Sequence, residues 1–160
     1  MSFGQAVSAF FKNYATFSGR TQRSGYWWVV LFAVILSVGL FFLDLAFFSA
    51  VWPQELLAQG LGPLSIVMIL GLLLPSLSLG VRRLHDTGRS GWWLLLPVAP
   101  GILQTIVFAD QPPEAALTSP LGIVLGLAVL AASIVLLVFY VKDSQPGDNQ
   151  YGPNPKGVQA

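Results

Sequence analysis

Four stretches of this chain, at about 27–50, 63–81, 92–109 and 120–141, are nearly free of charge. Each comes close to the roughly 20 apolar residues that a bilayer-crossing helix needs. Few folds are open to a chain of 160 residues that carries four of them. Only 9% of residues are charged and 54% are hydrophobic, against about a quarter charged in a soluble domain, so lipid rather than a large water-borne core is the expected solvent. The fold expected is an all-α membrane protein: one multi-pass domain over 1–160, built as a four-transmembrane-helix bundle.

The distribution of charge orients that bundle. Lys12, Arg20 and Arg23 precede the first stretch; Arg82, Arg83 and Arg89 lie between the second and third; Lys142 and Lys156 follow the fourth. The connections at 51–62 and 110–119 hold Glu55, Asp110 and Glu114 and no Lys or Arg. All eight cations therefore fall on one side of a four-span arrangement, which the positive-inside rule makes cytoplasmic, with both termini on that side. A net charge of +1 gives no ground for a nucleic-acid partner. Without cysteine, neither disulfides nor thiolate metal sites are available. The first 25 residues lack the basic–apolar–small order of a cleaved signal, and no cleavage is expected.

Residues 1–25 read instead as an amphipathic helix and a turn. Phe3, Val7, Phe10, Phe11, Tyr14 and Phe17 recur at spacings of three and four, Ser2 with Gln5 offers a capping box, and Lys12 lies opposite the aromatic side. The pattern predicts a helix along the cytoplasmic interface; a helix packed on the spans or on a partner protein would carry the same pattern. Tyr26, Trp27, Trp28, Trp92, Trp93 and Tyr140 fall at the inner boundary as interface anchors, and Trp52 marks the outer one. Asp44 is about 17 residues beyond Trp27, roughly 25 Å across, where a hydrated carboxylate at the outer surface is expected.

The middle stretches are less regular than the outer two. Pro75 interrupts the second; Pro97, Pro100, Gly101 and Gln104 interrupt the third, so kinks or unwound turns are expected. Gly122 and Gly126, four apart, allow another helix to come close. Arg23-Ser24-Gly25-Tyr26-Trp27-Trp28 and Arg89-Ser90-Gly91-Trp92-Trp93 open the first and third stretches alike. Two equivalent hairpins, or convergence on a good way to start a span, would each produce that likeness.

The densest polar segment is Arg82-Arg83-Leu84-His85-Asp86-Thr87-Gly88-Arg89-Ser90-Gly91-Trp92-Trp93, which holds the single histidine. It resembles the hallmark of the bacterial domain-of-unknown-function 805 family. So do the segments from Phe17 to Trp27 (Phe-Ser-Gly-Arg-Thr-Gln-Arg-Ser-Gly-Tyr-Trp) and from Gly147 to Pro155 (Gly-Asp-Asn-Gln-Tyr-Gly-Pro-Asn-Pro). The resemblance covers almost the whole chain and implies a small multi-pass protein of the bacterial inner membrane.

Arg20, Arg23, Arg82, Arg83 and Arg89 are expected to share one cytoplasmic layer with His85, Asp86, Asp143 and Asp148. Arginine's planar fork suits carboxylate and phosphate alike, so the layer either holds an anionic lipid headgroup or partner or knits the loop and tail to the bundle by ion pairs. A transporter or channel component would need a polar path, for which Ser65, Ser76, Ser78, Gln104 and Thr105 are the material. A hydrolase centred on His85 and Asp86 has no second histidine and no visible oxyanion arrangement. The expectation is a non-enzymatic protein with no catalytic residues, metal or cofactor, with membrane lipids as partners and a homo-oligomer or protein partner allowed. The cytoplasmic tail, 142–160, is rich in Pro, Gly, Asn and Asp and should fold back in successive turns over the arginine loop.

Overall fold

Helices account for all the regular structure in the computed structural model, which describes residues 1–112 and 114–157; no β-strand occurs among them. The order is α1 Phe3–Lys12, α2 Arg23–Phe48, α3 Gln54–Ala58, α4 Pro63–Asp86, a 3-10 turn Gly91–Leu94, α5 Leu95–Val107, α6 Ala115–Thr118 and α7 Pro120–Val141. Pro113 and the last three residues of the expected tail, Val158 to Ala160, lie outside the described residues.

Among the described residues three helices, α2, α4 and α7, are long and apolar enough to cross a membrane. Side chains such as Phe47, Val67 and Val124 are largely exposed along them. A helix that is apolar all round belongs in lipid, where such exposure costs nothing. The third expected span, about 92–109, is instead a short composite of the 3-10 turn and α5, ending at Val107. The prolines explain the break. Pro97 has no N–H for the Trp93 carbonyl and its ring crowds that turn, so regular α-helix starts only at Leu95; Pro100 likewise leaves the Leu96 carbonyl without its helical donor.

The chain forms two compact units. The first comprises Met1–Phe17 and Ser24–Leu79. Here α1 starts with the expected capping box, in which Ser2 and Gln5 bond each other's backbone N–H. Its Ala6 and Phe10 are buried against Val29 and Leu79, with Tyr26 and Leu72 alongside, while Phe3 and Phe11 remain exposed; α1 ends at Lys12, so Tyr14 and Phe17, which the aromatic spacing placed on the same helix, lie beyond it. The helix thus packs on the long helices by one edge and offers an aromatic edge outward. Phe3 meets Trp28 edge-on at 5.9 Å and Phe11 meets Phe32 at 6.1 Å. Pro75 sits inside α4 and cannot bond the Gly71 carbonyl; the Tyr14 hydroxyl donates to that carbonyl instead.

Asp44 corrects the expectation of a hydrated carboxylate. It is buried, 1% exposed, and accepts from the backbone N–H groups of Leu64 and Ser65, both at 2.9 Å, and from Ser65 Oγ at 2.7 Å. It caps the start of α4 from another helix. Gly62, which precedes Pro63, has no side chain to do this locally, and a Cβ there would lie 2.3 Å from Asp44 Cγ.

The second unit comprises Ser18–Arg23 and the described residues from Gly80 onward. Within it α5 and α6 pack on α7. The small residues of α7 are used inside the chain: a Cβ on Gly122 would lie 2.3 Å from the Ala116 carbonyl oxygen, and Gly126 lies beside the Gln104 amide. Gln104 donates to the Gly122 carbonyl at 3.4 Å and Thr105 to that of Gly101 at 3.1 Å.

Candidate functional site

Within the second unit the polar segment ends one helix and starts the next. At the end of α4, Gly88 takes φ +74°, its N–H bonds the His85 carbonyl at 3.0 Å, and the Arg89 N–H bonds that of Leu84 at 2.9 Å. This is a Schellman close, which needs a residue tolerant of the left-handed region. A Cβ on Gly88 would also lie 2.5 Å from Gln145 Oε1. Gly88→Ala is therefore expected to lower stability by about 2 kcal/mol, read as thermal unfolding in detergent, and to expose the tail to protease. An unchanged melt with an unchanged digestion pattern would show that the turn does not hold the tail. Beyond the turn, the Ser90 hydroxyl accepts from the Trp92 N–H at 3.4 Å and starts the 3-10 segment. The matching Ser24 behaves differently, lying inside α2, which already begins at Arg23.

Asp86 is the hub of the site. Its side chain is fully buried; Oδ1 accepts from Arg20 Nε at 3.1 Å, and Oδ2 from Arg83 Nη1 at 2.5 Å and Ser144 Oγ at 2.7 Å. Arg20 also donates to the backbone carbonyls of Gln145 (2.7 Å), Gly147 (2.8 Å), Gly152 (3.3 Å) and Asp86 itself (3.5 Å), so its five N–H bonds meet five acceptors. Arg83 is engaged at all three nitrogens, including the carbonyls of Tyr140, Lys142 and Thr21. Through Tyr140 and Lys142 it serves the C-terminal end of α7, where a cation also complements the helix dipole. Arg23 reaches the Val141 carbonyl at 3.5 Å.

Arg82 is different. It is 7% exposed; Nη1 donates to Thr21 Oγ1 at 3.1 Å, but Nε and Nη2 find no acceptor among the described residues. Arg89 is partly exposed, with its guanidinium carbon 3.9 Å from the centre of the Phe139 ring and Nη1 on the Thr87 carbonyl at 3.0 Å.

The tail folds back over the loop, as expected from its turn residues. The Gln145 N–H bonds the Asp86 carbonyl at 2.9 Å, Asn149 Nδ2 bonds that of His85 at 2.9 Å, and the Tyr151 ring stacks on the His85 ring at 3.8 Å with an angle of 1°. His85 Nδ1 lies 3.2 Å from the Gly19 carbonyl, which can only accept, so that nitrogen carries the proton. Among the described residues no three His, Cys, Asp or Glu side chains converge as metal ligands would. Asp143 and Asp148 serve the tail itself: exposed Asp143 pairs with Lys156 at 2.5 Å, and Asp148 accepts from the Asn154 N–H at 3.1 Å. The bonds from Lys156 and from the Ser144 N–H hold the Asp143 carboxyl below its ordinary value.

Of the expected anchors, Trp92 is the most exposed at 78%, Trp93 and Trp28 are partly exposed, Trp27 lies edge-on to Tyr26 at 5.5 Å, and Tyr26 packs against the buried cluster of the first unit. The spacing of charges did not single out Thr21, Ser144, Gln145 or Asn149. Thr21 is held by three contacts with Arg82 and Arg83, and its one signal was its place in the Ser-Gly-Arg-Thr string.

Comparison with known proteins places these segments in context. The model of the family described as "Protein of unknown function (DUF805)" matches residues 14–153, a range that takes in α2 to α7 and most of the tail. The inner membrane protein YhaI of Escherichia coli K12 is 33% identical over 145 residues, covering 91% of this chain and 90% of YhaI. The inner membrane protein YhaH of the same strain is 30% identical over 145 residues, covering 91% of each chain. No solved structure matches the chain. With a family match over nearly its whole length, and with relatives that align end to end, the chain belongs to the DUF805 family.

Proposed function

We propose that this is an inner-membrane protein that crosses the bilayer four times, α5 being the short crossing, with α1 along the cytoplasmic interface and both termini and the arginine layer on that side. Its working part is that layer, and its action is binding an anionic group rather than catalysis. The inner-membrane relatives and the one-sided distribution of all eight cations support the placement. His85, flat on Tyr151 and fixed to a backbone carbonyl, is used in packing the tail, which favours binding over general-base chemistry.

One observation carries the binding reading: the Arg82 guanidinium is buried beside the Arg20–Asp86–Arg83 cluster, with no carboxylate bonded to it and two of its nitrogens without an acceptor among the described residues. Uncompensated positive charge in a low-dielectric place is costly, and an anion nearby relieves it. Native mass spectrometry of protein extracted in mild detergent tests this. Adducts with the mass of an anionic phospholipid are expected in preference to zwitterionic ones, with the subunit count read from the same spectrum. Bare protein, or adducts that follow the bulk lipid composition, would overturn the reading.

A further inference from the structure

Arg89 stands apart from the clamp around Asp86; it directly precedes Ser90 in the chain and sits on Phe139, which meets Trp93, and Ser90 and Trp93 line a groove of about 420 Å³ together with Trp92, Leu95 and Leu96. We propose that this groove seats one anionic phospholipid, its phosphate on the Nε and Nη2 edge of Arg89 and an acyl chain along Trp92, Leu95 and Leu96. The inference rests on the reading of the arginine layer as one that holds negative charge, and it names where and what.

The geometry of Arg89 supplies the polar half. Only Nη1 is spent on a protein acceptor, the Thr87 carbonyl, which leaves the Nε–Nη2 edge without one among the described residues. That edge carries two parallel N–H bonds, the arrangement that matches two oxygens of a phosphodiester. Phe139 fixes the guanidinium: it lies 3.9 Å below it and also meets Trp93 edge-on at 5.3 Å, so one ring holds both the cation and a wall of the groove. The Ser90 oxygen accepts from the Trp92 N–H, and its own O–H is left to donate.

The apolar half follows from what continues beyond the groove. Leu95, Leu96, Ile102, Leu103 and Ile106 are all exposed on α5, an apolar path leading away from the cation. A soluble anion would use Arg89 and leave this path bare; a neutral lipid would use the path and leave Arg89 unanswered. An amphiphile with a negative head uses both. Arg82, although less satisfied, is too enclosed to be the point of first contact, with both unpartnered nitrogens shielded from solvent.

The test uses the full chain in phosphatidylcholine vesicles containing phosphatidylglycerol with brominated acyl chains, reading quenching of tryptophan fluorescence. Quenching is expected to favour brominated phosphatidylglycerol over brominated phosphatidylcholine by about fivefold, the factor that one basic side chain contributes at an anionic surface. Arg89→Gln should bring the preference to near one, Arg89→Lys should keep part of it, Trp92→Phe should remove the quenched component, and Lys12→Gln, at a cation in the last turn of α1 and outside the arginine layer, should leave the preference in place; circular dichroism checks that each variant folds. A preference that survives Arg89→Gln but is lost in Arg82→Met overturns the location while sparing the binding reading. Equal quenching by the two lipids in the unmodified protein overturns both. Displacement of the brominated lipid by inorganic phosphate would overturn the choice of a lipid over a free anion.

Discussion

Asp86→Ala is expected to lower stability by about 3–5 kcal/mol, a fall of roughly 6–20 °C in the thermal midpoint in detergent, and to free the tail. The size follows from what the substitution leaves behind. Arg20 and Arg83 would stay buried with no carboxylate between them, and Ser144 would lose its acceptor. Breaking a buried pair by removing one partner costs far more than the pair's net worth, because the remaining charge is unsolvated. Asp86→Asn should cost less, since the amide oxygen still accepts from one arginine. Loss of the tail should appear as rapid proteolysis near Gln145 to Tyr151, whose contacts with Arg20, His85 and Asp86 all run through the same cluster. The two arginines should also couple through this residue: Arg20→Met combined with Asp86→Ala should cost clearly less than the separate effects added together. A single-variant cost below about 1 kcal/mol, the scale of an exposed pair, would show that the cluster is solvated and that the tail is held by other means.

What the sequence conveyed of this fold is what depends on short-range pattern. The Ser2–Gln5 box of α1 is local and holds in the structure, whereas the helix that the aromatic spacing carried on to Tyr14 and Phe17 ends at Lys12. The tail's turn residues specify backbone angles that are likewise local, so its folding over the loop was legible without knowing its partners. Spans follow from length and composition, but where a helix starts inside an apolar run depends on individual missing N–H groups, and Pro97 moved the start of α5 to Leu95. All five arginines stand out in the charge pattern, yet nothing in their spacing ranks them. Arg20 and Arg83 are saturated because backbone carbonyls from the ends of α4 and α7 and from the tail turn toward them, an arrangement made only by tertiary packing. The same dependence hides which acid is the hub. Asp86, Asp143 and Asp148 look alike as loop carboxylates, and only Asp86 lies between two guanidinium groups. Even the repeated Arg-Ser-Gly opening gives two outcomes, a residue within a helix at Ser24 and a cap at Ser90, because the second is followed by Pro97 and a tight turn precedes it.

Asp44→Ala tests the other buried carboxylate and is expected to cost about 3 kcal/mol, the second largest effect. Three donors lose their acceptor at once: two backbone N–H groups in the first turn of α4 and the Ser65 hydroxyl. Asp44 and Ser65 are buried, where water does not readily take over those donors, so the penalty exceeds that of an ordinary cap, which is typically about 1 kcal/mol. Gly62→Ala approaches the same loss from the opposite side. Its Cβ would lie 2.3 Å from Asp44 Cγ, so the carboxylate must leave the helix start even though the residue is still present. The two substitutions thus break one interaction by different means, and the double variant should be little worse than the more damaging single one. Thermal unfolding of the four proteins in the same detergent measures this cycle. Fully additive costs would mean that Asp44 and Gly62 act separately and that the start of α4 is capped by some other group; costs that merge into one establish a carboxylate from α2 as the cap of α4, and Gly62 as the space that admits it.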